Sequence, residues 1–335
     1  MAAFSHTFII PSHNQARYLP GAIDSVLNQI EPISRILISE DYSTDESPAI
    51  VADYAARHPD RISVTRPPTH EGMFPNWNWA ISQATTDWIS VVASDDQALP
   101  SFSAEVRRAA ERYPRAVLIG GDWDIIDGED RLIKRGEILS LPERLAPPET
   151  FYKHLVGTRV HPAAHAFRKS AWQAVGGFPA EVKLVGDWAF WLLLTPEGEF
   201  IHLRKALARY RIDYRPTLRT DRLEQLMKDE IAIQTHVIPR VLARLPGLSP
   251  RRIAAARRQR LRETLESYGR TVTDPEARRR VAEILRPWGE ALDAAATAMI
   301  DAWGRGAMIQ ARPINRWFVR PLRVALRAAR GRIGR

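Results

Sequence analysis

The chain has 335 residues with 48 basic and 39 acidic side chains, a formal net charge of +9 and no cysteine. The lack of cysteine excludes disulfides, thiolate metal sites and cysteine nucleophiles. No apolar run approaches the roughly 20 residues that span a bilayer. Residues 1–10 lack the basic and apolar regions of a secretory signal. We therefore expect a cytoplasmic protein with one large domain and an appendage.

Short apolar strands alternate with amphipathic helices along the first third of the chain. The pattern predicts strands at residues 8–11, 35–39, 61–65, 88–92 and 116–120, and helices at 18–29, 47–58, 75–84 and 101–113. The connections between these elements are short. Such alternation is typical of a mostly parallel, doubly wound sheet.

Two of the predicted strands end in adjacent carboxylates. Residues 88–96 (WISVVASDD) end in Asp95 and Asp96, and residues 35–41 (RILISED) end in a second pair. The carboxyl ends of parallel strands form the edge where open α/β sheets bind ligands. Adjacent carboxylates repel each other unless a cation balances them, which favours a Mg²⁺ or Mn²⁺ site beside a phosphate. The alternative is a solvated Asp-Asp turn that caps the next helix.

These strand ends belong to a series of short motifs along the first two thirds of the chain. They are residues 8–14, 22–29, 40–45, 76–80, 84–89, 94–96, 167–170, 176–178 and 186–188. In order and spacing they resemble the family 2 glycosyltransferases with the GT-A fold, over about residues 5–215. The resemblance implies a Rossmann-like GT-A catalytic domain at 1–220, with a nucleotide-sugar half at about 1–120 and an acceptor half at about 121–220.

The resemblance also implies a nucleotide pocket in the N-terminal half. Asp41 would hydrogen-bond the pyrimidine base or the ribose of a nucleotide sugar. The backbone around Pro11, Ser12 and Asn14 would line the same pocket. A UDP-sugar is therefore the expected donor.

The matching acidic residues imply the chemistry of the reaction. Asp96 would coordinate Mn²⁺ or Mg²⁺ at the diphosphate, with Asp95 alongside on the ribose or sugar. The ion would stabilise the charge of the leaving nucleoside diphosphate. Asp187 matches the family's general base, which takes the proton of the acceptor hydroxyl. One base opposite the leaving group implies a single displacement with inversion.

The acceptor side is predicted from two aromatic residues. Trp188 follows the proposed base Asp187 and is a candidate acceptor contact. His161 and His165 are spaced like two zinc ligands on a helix, but Pro162 argues against a helix that spans them. His161 is therefore predicted to line the acceptor site or to pack in the core.

The chain departs from the family's pattern at two places. Glu40 replaces a frequent Asp, and Tyr42 replaces a Gly, where it would stack on a base or sugar or merely cover the sheet edge. Residues 210–213 (YRID) stand where the family often has Tyr-Arg-x-His, so a histidine contact to metal or phosphate is missing. Asp213 is either a further metal ligand or a solvated loop acid.

The last third of the chain, residues 221–335, is predicted to be helical and rich in arginine. Helices are expected to begin at Pro250 and at Pro275, the latter capped by Asp274. Residues 314–335 carry seven arginines and no acid, with an apolar face that includes Phe318. This basic amphipathic segment is expected to dock on an anionic membrane surface, at about 1 kcal/mol per basic residue; a helix packed on the protein is the alternative. No motif indicates nucleic-acid binding.

Taken together, the motifs predict a metal-dependent inverting glycosyltransferase that acts in cell-surface polysaccharide synthesis. Its partners would be a nucleotide-sugar donor, a glycan or lipid-linked acceptor, and the inner face of the cell membrane. One alternative is a nucleotidyltransferase acting on sugar phosphates, although residues 11–17 lack the glycine-rich loop usual there. The other is a non-catalytic sugar-nucleotide-binding or membrane adaptor, against which the retained Asp41, Asp95, Asp96 and Asp187 argue.

Overall fold

The structure is a computed structural model that describes residues 4–31, 33–136, 141–158, 160–212, 220–272 and 274–309. Asp213 and the predicted membrane-docking segment 314–335 lie outside these residues. Among the helices that the structure describes, none is long and apolar enough to cross a bilayer.

The described residues form two compact units. Unit 1 draws on Met1–Thr150, Arg159–Ala180 and Glu197–Asp213, and unit 2 draws on Phe151–Thr158, Glu181–Pro196 and Tyr214–Arg335. The sequence predicts one domain boundary near residue 220, whereas the structure groups two earlier segments with the C-terminal helices.

A mixed sheet forms the centre of unit 1. Its strands are β1 (His6–Ser12), β2 (Arg35–Glu40), β3 (Ile62–Thr65), β4 (Trp88–Val91), β5 (Gln97–Ala98), β6 (Ala116–Ile126), β7 (Leu132–Lys134), β8 (Arg144–Leu145), β9 (His165–Arg168) and β10 (Glu199–Arg211). The order is β3-β2-β1-β4-β9-β6-β10-β5, with β7 on β6 and β8 on β10. The neighbours from β3 to β4 are parallel, as are β6 and β10. The predicted mostly parallel sheet is confirmed, with β9 inserted antiparallel between β4 and β6.

Helices accompany the sheet and make up most of unit 2. They are α1 (Leu19–Leu27), α2 (Ser47–Arg57), α3 (Met73–Gln83), α4 (Phe102–Arg112), α5 (Glu149–His154), α6 (Lys169–Val175), α7 (Gly186–Leu194), α8 (Thr220–Ala232), α9 (Ile238–Leu242), α10 (Pro250–Thr271), α11 (Pro275–Glu290) and α12 (Ala294–Gly304). A π-helical turn, Ile233–Val237, joins α8 to α9.

Side chains of successive strand residues point to opposite faces of the sheet, and helices pack on both faces. Ile36 and Ile38 of β2 lie in an apolar cluster with Ile23 of α1. The next residue, Ser39, points to the other face, where its hydroxyl hydrogen-bonds Asn76 of α3. Full burial of one such aliphatic side chain contributes about 1.5–3 kcal/mol to the free energy of folding. The apolar pattern that predicts the strands therefore also fixes which faces the helices cover.

Unit 2 has a separate apolar core. It consists of buried side chains of α8, α10, α11 and α12, among them Leu261, Leu285 and Trp303. The predicted start of α11 is confirmed, because Asp274 accepts a hydrogen bond from the Ala277 N–H at 2.6 Å. Local capping signals thus set the helix boundaries, while the buried side chains hold the helices together.

Candidate active site

The loops that follow β1 and β2 leave the sheet at the same edge and are joined by hydrogen bonds. Asn14, in the left-handed region at φ 53°, accepts the Thr44 N–H at 2.7 Å and donates its own N–H to Ser43 Oγ at 3.0 Å. The carboxylate of Asp45 accepts the Ala16 N–H at 2.9 Å. These contacts fix both loops at the carboxyl edge, where a ligand of the sheet would bind.

Asp41 is buried at this edge, and its carboxylate has several partners. It accepts the N–H groups of Glu71 at 3.2 Å and Gly72 at 3.1 Å, and it lies 3.0 Å from His70 Nδ1. The ring of His13 stacks on that of His70 with centroids 4.6 Å apart. The carboxylate is therefore held in one orientation beside two stacked imidazoles.

His13, Asp41 and His70 each offer one potential metal-ligating atom, and these atoms lie within 4.8 Å of one another. Hydrogen bonds already serve all three side chains. His13 Nδ1 lies 2.7 Å from the Asp41 carbonyl oxygen, and the amide nitrogen of Asn14 lies 3.1 Å from His13 Nε2. The His13 Nδ1–H therefore donates to the Asp41 carbonyl and Nε2 accepts from Asn14, so the three side chains form a hydrogen-bonded cluster at the sheet edge.

Pro11 and Ser12 lie at the end of β1 and are buried. The Ser12 carbonyl accepts the Asp41 N–H at 2.9 Å. Its hydroxyl is buried and has no hydrogen-bond partner among the described residues. Ser12 is thus fixed at the carboxyl edge through its backbone.

Asp96 is buried just beyond the end of β4, next to Asp95. Its Oδ1 accepts the Arg211 N–H at 2.9 Å. Burial, and then the charge of Asp95, raise the pKa of Asp96 well above its ordinary value. Two neighbouring carboxylates that resist joint ionisation fit a divalent cation, because the ion offsets both their repulsion and their desolvation.

Arg211, at the end of β10, holds the segment that carries these two acids. Its guanidinium is buried and donates to the Asp95 carbonyl at 2.8 Å and to the Asp127 carbonyl at 2.6 Å. It also pairs with Asp130 and lies 4.5 Å from the centroid of the Tyr18 ring. The sequence alone assigns Arg211 no role, although its place in the family's Tyr-Arg element is a signal for one.

Glu40 and Tyr42, which depart from the family's pattern on either side of Asp41, hydrogen-bond to the neighbouring loops. Glu40 is buried, accepts the N–H groups of Tyr42 at 3.2 Å and Ser43 at 2.6 Å, and pairs with Arg66. The Tyr42 hydroxyl donates to the Pro68 carbonyl at 2.7 Å, and the Arg66 guanidinium lies 4.8 Å from its ring centroid. Glu40 thus closes the turn, and Tyr42 covers the edge of the sheet.

His161 is partly buried in unit 1. Its ring lies 4.2 Å from that of Tyr210 and 5.2 Å from that of Trp123. Burial lowers its pKa to about 3. A short 3₁₀ turn, Pro162–Ala164, rather than an α-helix leads to His165, as the proline predicts. The acceptor role of His161 stays a prediction.

Asp187 and Trp188 lie in unit 2, at the start of α7. Asp187 is partly exposed, and burial raises its pKa to about 6. Trp188 is fully buried, and its indole N–H donates to the His154 carbonyl at 2.7 Å. Since no surface of this indole is exposed, the structure favours a packing role for Trp188 over the predicted acceptor contact.

All of the predicted nucleotide and metal residues therefore lie in unit 1. Parallel pairing brings Ser12, Asp41 and Asp96 to one sheet edge. The profile described as "Glycosyl transferase family 2" matches residues 7–176, just over half of the chain. The chain belongs to glycosyl transferase family 2.

Curated relatives of this glycosyltransferase carry related activities in their names. It is 26% identical over 209 residues to "Putative glycosyltransferase EpsE" of Bacillus subtilis (strain 168), which covers 61% of this chain and 72% of EpsE. It is 23% identical over 199 residues to "Chondroitin synthase" of Escherichia coli, covering 58% of this chain but only 27% of that protein. The chain thus spans about a quarter of the latter relative. Membership of the family favours a glycosyltransferase over a nucleotidyltransferase.

Solved structures confirm the GT-A fold of this glycosyltransferase. S. aureus TarS 1–349 in complex with UDP-GlcNAc has a TM-score of 0.68 and 15% identity, covering 98% of this chain and 92% of that one. The mannosyltransferase PcManGT from Pyrobaculum calidifontis, in complex with GDP-Man and Mn²⁺, has a TM-score of 0.54 and 15% identity, covering 90% and 80%.

Arg211→Lys should lower the melting temperature of the protein by about 3–12 °C. The single ammonium group of lysine cannot match the planar fork with which the guanidinium reaches the Asp95 and Asp127 carbonyls together. A hydrogen bond with a charged group contributes about 1.5–3 kcal/mol. Differential scanning calorimetry measures the change. Arg209→Lys is the matched control, because Arg209 is exposed on the same strand and donates to the side chain of Gln97 at 3.3 Å. Equal melting temperatures for the two variants would contradict the role of Arg211.

Proposed function

We propose that the chain is a metal-dependent, inverting glycosyltransferase. It transfers a sugar from a UDP-sugar to a hydroxyl of a glycan or lipid-linked acceptor in cell-surface polysaccharide synthesis. The observation that carries the proposal is the placement of buried carboxylates, Asp41 and Asp96, beyond parallel strands at one sheet edge. The names of the relatives, among them a chondroitin synthase, support a polysaccharide as the product.

Unit 1 provides the donor side of the proposed reaction. Asp41 takes the base or ribose, and the backbone around Pro11, Ser12 and Asn14 lines the same pocket. The complex of TarS with UDP-GlcNAc supports a uridine nucleotide. A carboxylate prepared by backbone N–H groups does not have to reorganise when the donor binds, which favours affinity.

A divalent ion would be held by Asp96, with Asp95 alongside. When bound, Mn²⁺ or Mg²⁺ neutralises charge on the leaving diphosphate. The raised pKa of Asp96 supports this assignment, since the site is short of positive charge. The structure of PcManGT with Mn²⁺ supports it as well.

Asp187 is the proposed general base, which accepts the proton of the attacking hydroxyl. Burial has already raised its pKa to about 6. A base is most effective when its pKa lies near the working pH, because it is then both largely ionised and sufficiently basic. An ordinary exposed aspartate would be a weaker proton acceptor.

Asp96→Ala should abolish the Mn²⁺-dependent part of UDP binding, because the variant loses the proposed ligand. Isothermal titration calorimetry with UDP and Mn²⁺, and then with EDTA, measures it. Asp53→Ala is the control, since Asp53 is exposed on α2 and pairs with Arg57. An Asp96→Ala protein with unchanged, EDTA-sensitive affinity would refute the metal assignment.

Hydrolysis of UDP-GlcNAc, with water as the acceptor, should slow below pH about 6. Protonated Asp187 cannot accept a proton, so kcat should fall towards tenfold for each further unit of pH. Asp187→Asn should lower kcat by about 10²–10⁴-fold and keep the KM for UDP-GlcNAc. Glu181→Gln is the matched control, because Glu181 is an exposed acid of the same segment that pairs with Arg240. A normal rate in Asp187→Asn would place the base elsewhere.

The arginine-rich segment 314–335 is proposed to hold the enzyme at an anionic membrane surface. Its sequence supports this with seven arginines and no acid. Deletion of these residues should release the protein from vesicles of phosphatidylserine and phosphatidylcholine and leave UDP-GlcNAc hydrolysis unchanged. Binding of the full chain should weaken as salt rises, because salt screens exposed charges. Absence of sedimentation with such vesicles at low salt would refute the proposal.

A further inference from the structure

Unit 2 contains a fully buried carboxylate that binds a loop far away in the sequence. Asp229 of α8 accepts hydrogen bonds from three successive backbone N–H groups: Lys183 at 3.1 Å, Leu184 at 2.5 Å and Val185 at 3.2 Å. The side-chain amide of Gln225 donates to the same carboxylate at 2.8 Å. Hydrogen bonds to an ionised acceptor are about twice as strong as neutral ones, so this contact fixes the path of the loop.

The loop leads directly into α7. The helix begins at Gly186, and its second residue is Asp187. Val185, at the cap position, makes no side-chain capping hydrogen bond. Helix starts carry N–H groups without intrahelical partners. Here, the N–H groups of the entering loop are satisfied by Asp229 on a different helix, so α8 determines how the chain enters α7.

Glu230, which follows Asp229, and Trp188, which follows Asp187, both contact Arg260. Glu230 forms a buried ion pair with Arg260 of α10, with Nε 2.9 Å from Oε1. The guanidinium of Arg260 lies 5.0 Å from the Trp188 ring centroid. Asp187 therefore lies in the sequence between a loop, 183–185, that is held by Asp229 and a buried side chain, Trp188.

We propose that Asp229 is a positioning residue for Asp187. By holding residues 183–185, it sets the direction in which the Asp187 carboxylate points. This inference rests on the proposed role of Asp187 as general base. Proton transfer requires a heavy-atom distance of about 2.6–3.2 Å, and a displacement of about 1 Å can cost a factor of about 100 in rate. Helix α8 then supports the position of the proposed base.

The variant Asp229→Asn of the full-length protein tests whether Asp229 positions Asp187 or only stabilises the fold. Asparagine keeps the shape of the side chain but has no charge and one acceptor oxygen instead of two, so its hydrogen bonds to the 183–185 loop are fewer and weaker. We expect the kcat of UDP-GlcNAc hydrolysis to fall about 10–100-fold, with the KM for UDP-GlcNAc unchanged. Hydrogen–deuterium exchange followed by mass spectrometry should show faster exchange of the amides at 183–185. Asp229→Glu, which keeps two acceptor oxygens, should recover part of both losses.

Asp293→Asn is the matched control within unit 2. Asp293 caps α12 by accepting the Ala296 N–H at 2.8 Å and pairs with Arg258 of α10. Its variant removes a capping carboxylate of the same kind, and so should lower stability while kcat and exchange at 183–185 stay as in the wild type. Gln225→Ala is a milder variant, which removes the amide that donates to Asp229. It should lower kcat by a smaller factor than Asp229→Asn does.

The outcomes distinguish this inference from the proposed function. Wild-type kcat in Asp229→Asn, with Asp187→Asn inactive, would overturn the positioning role and leave the base assignment standing. Equal losses of kcat in Asp229→Asn and Asp293→Asn would also overturn it, because a general structural effect would then suffice. Full activity of Asp187→Asn would overturn both. Selective loss of kcat with faster exchange at 183–185 supports the inference.

Discussion

Parallel strand pairing is the constraint on which the site depends. Because β1, β2 and β4 run in the same direction, the chain leaves each of them at the same sheet edge. Acidic residues from separate βα units are thereby gathered in one place, although their like charges repel. The fold must then stabilise a concentration of negative charge, and the rest of unit 1 shows how this is done.

Three acids of the chain differ in what surrounds them. Asp41 is surrounded by backbone N–H groups and a histidine. Asp96 has one backbone donor and an acidic neighbour, which leaves its pKa raised. Asp187 is affected chiefly by burial. Burial and a neighbouring charge raise the pKa of Asp96, and burial raises that of Asp187, which agrees with their proposed tasks of metal binding and proton transfer.

Local signals in the sequence predict local structure well. Apolar runs predict the central strands, and the Asp274 cap predicts the start of α11. The motifs predict which acids reach the sheet edge. Contacts between distant segments leave no such signal: the hold of Arg211 on Asp95 spans 116 positions. The burial of Trp188 is equally non-local, because it depends on helices that follow it in the chain.

The interleaving of segments between the two units has a consequence for how such enzymes diverge. Residues 181–196, including the apolar helix α7, cluster with the C-terminal helices, although they precede β10 of the sheet. A crossover near residue 220 that brought in a foreign C-terminal region would leave the Trp188 side chain without its own Arg260 and the 183–185 loop without its own Asp229. Viable chimaeras would therefore have to exchange α7 together with the terminal helices. We therefore expect α7 and the C-terminal helices to evolve as a single inherited block.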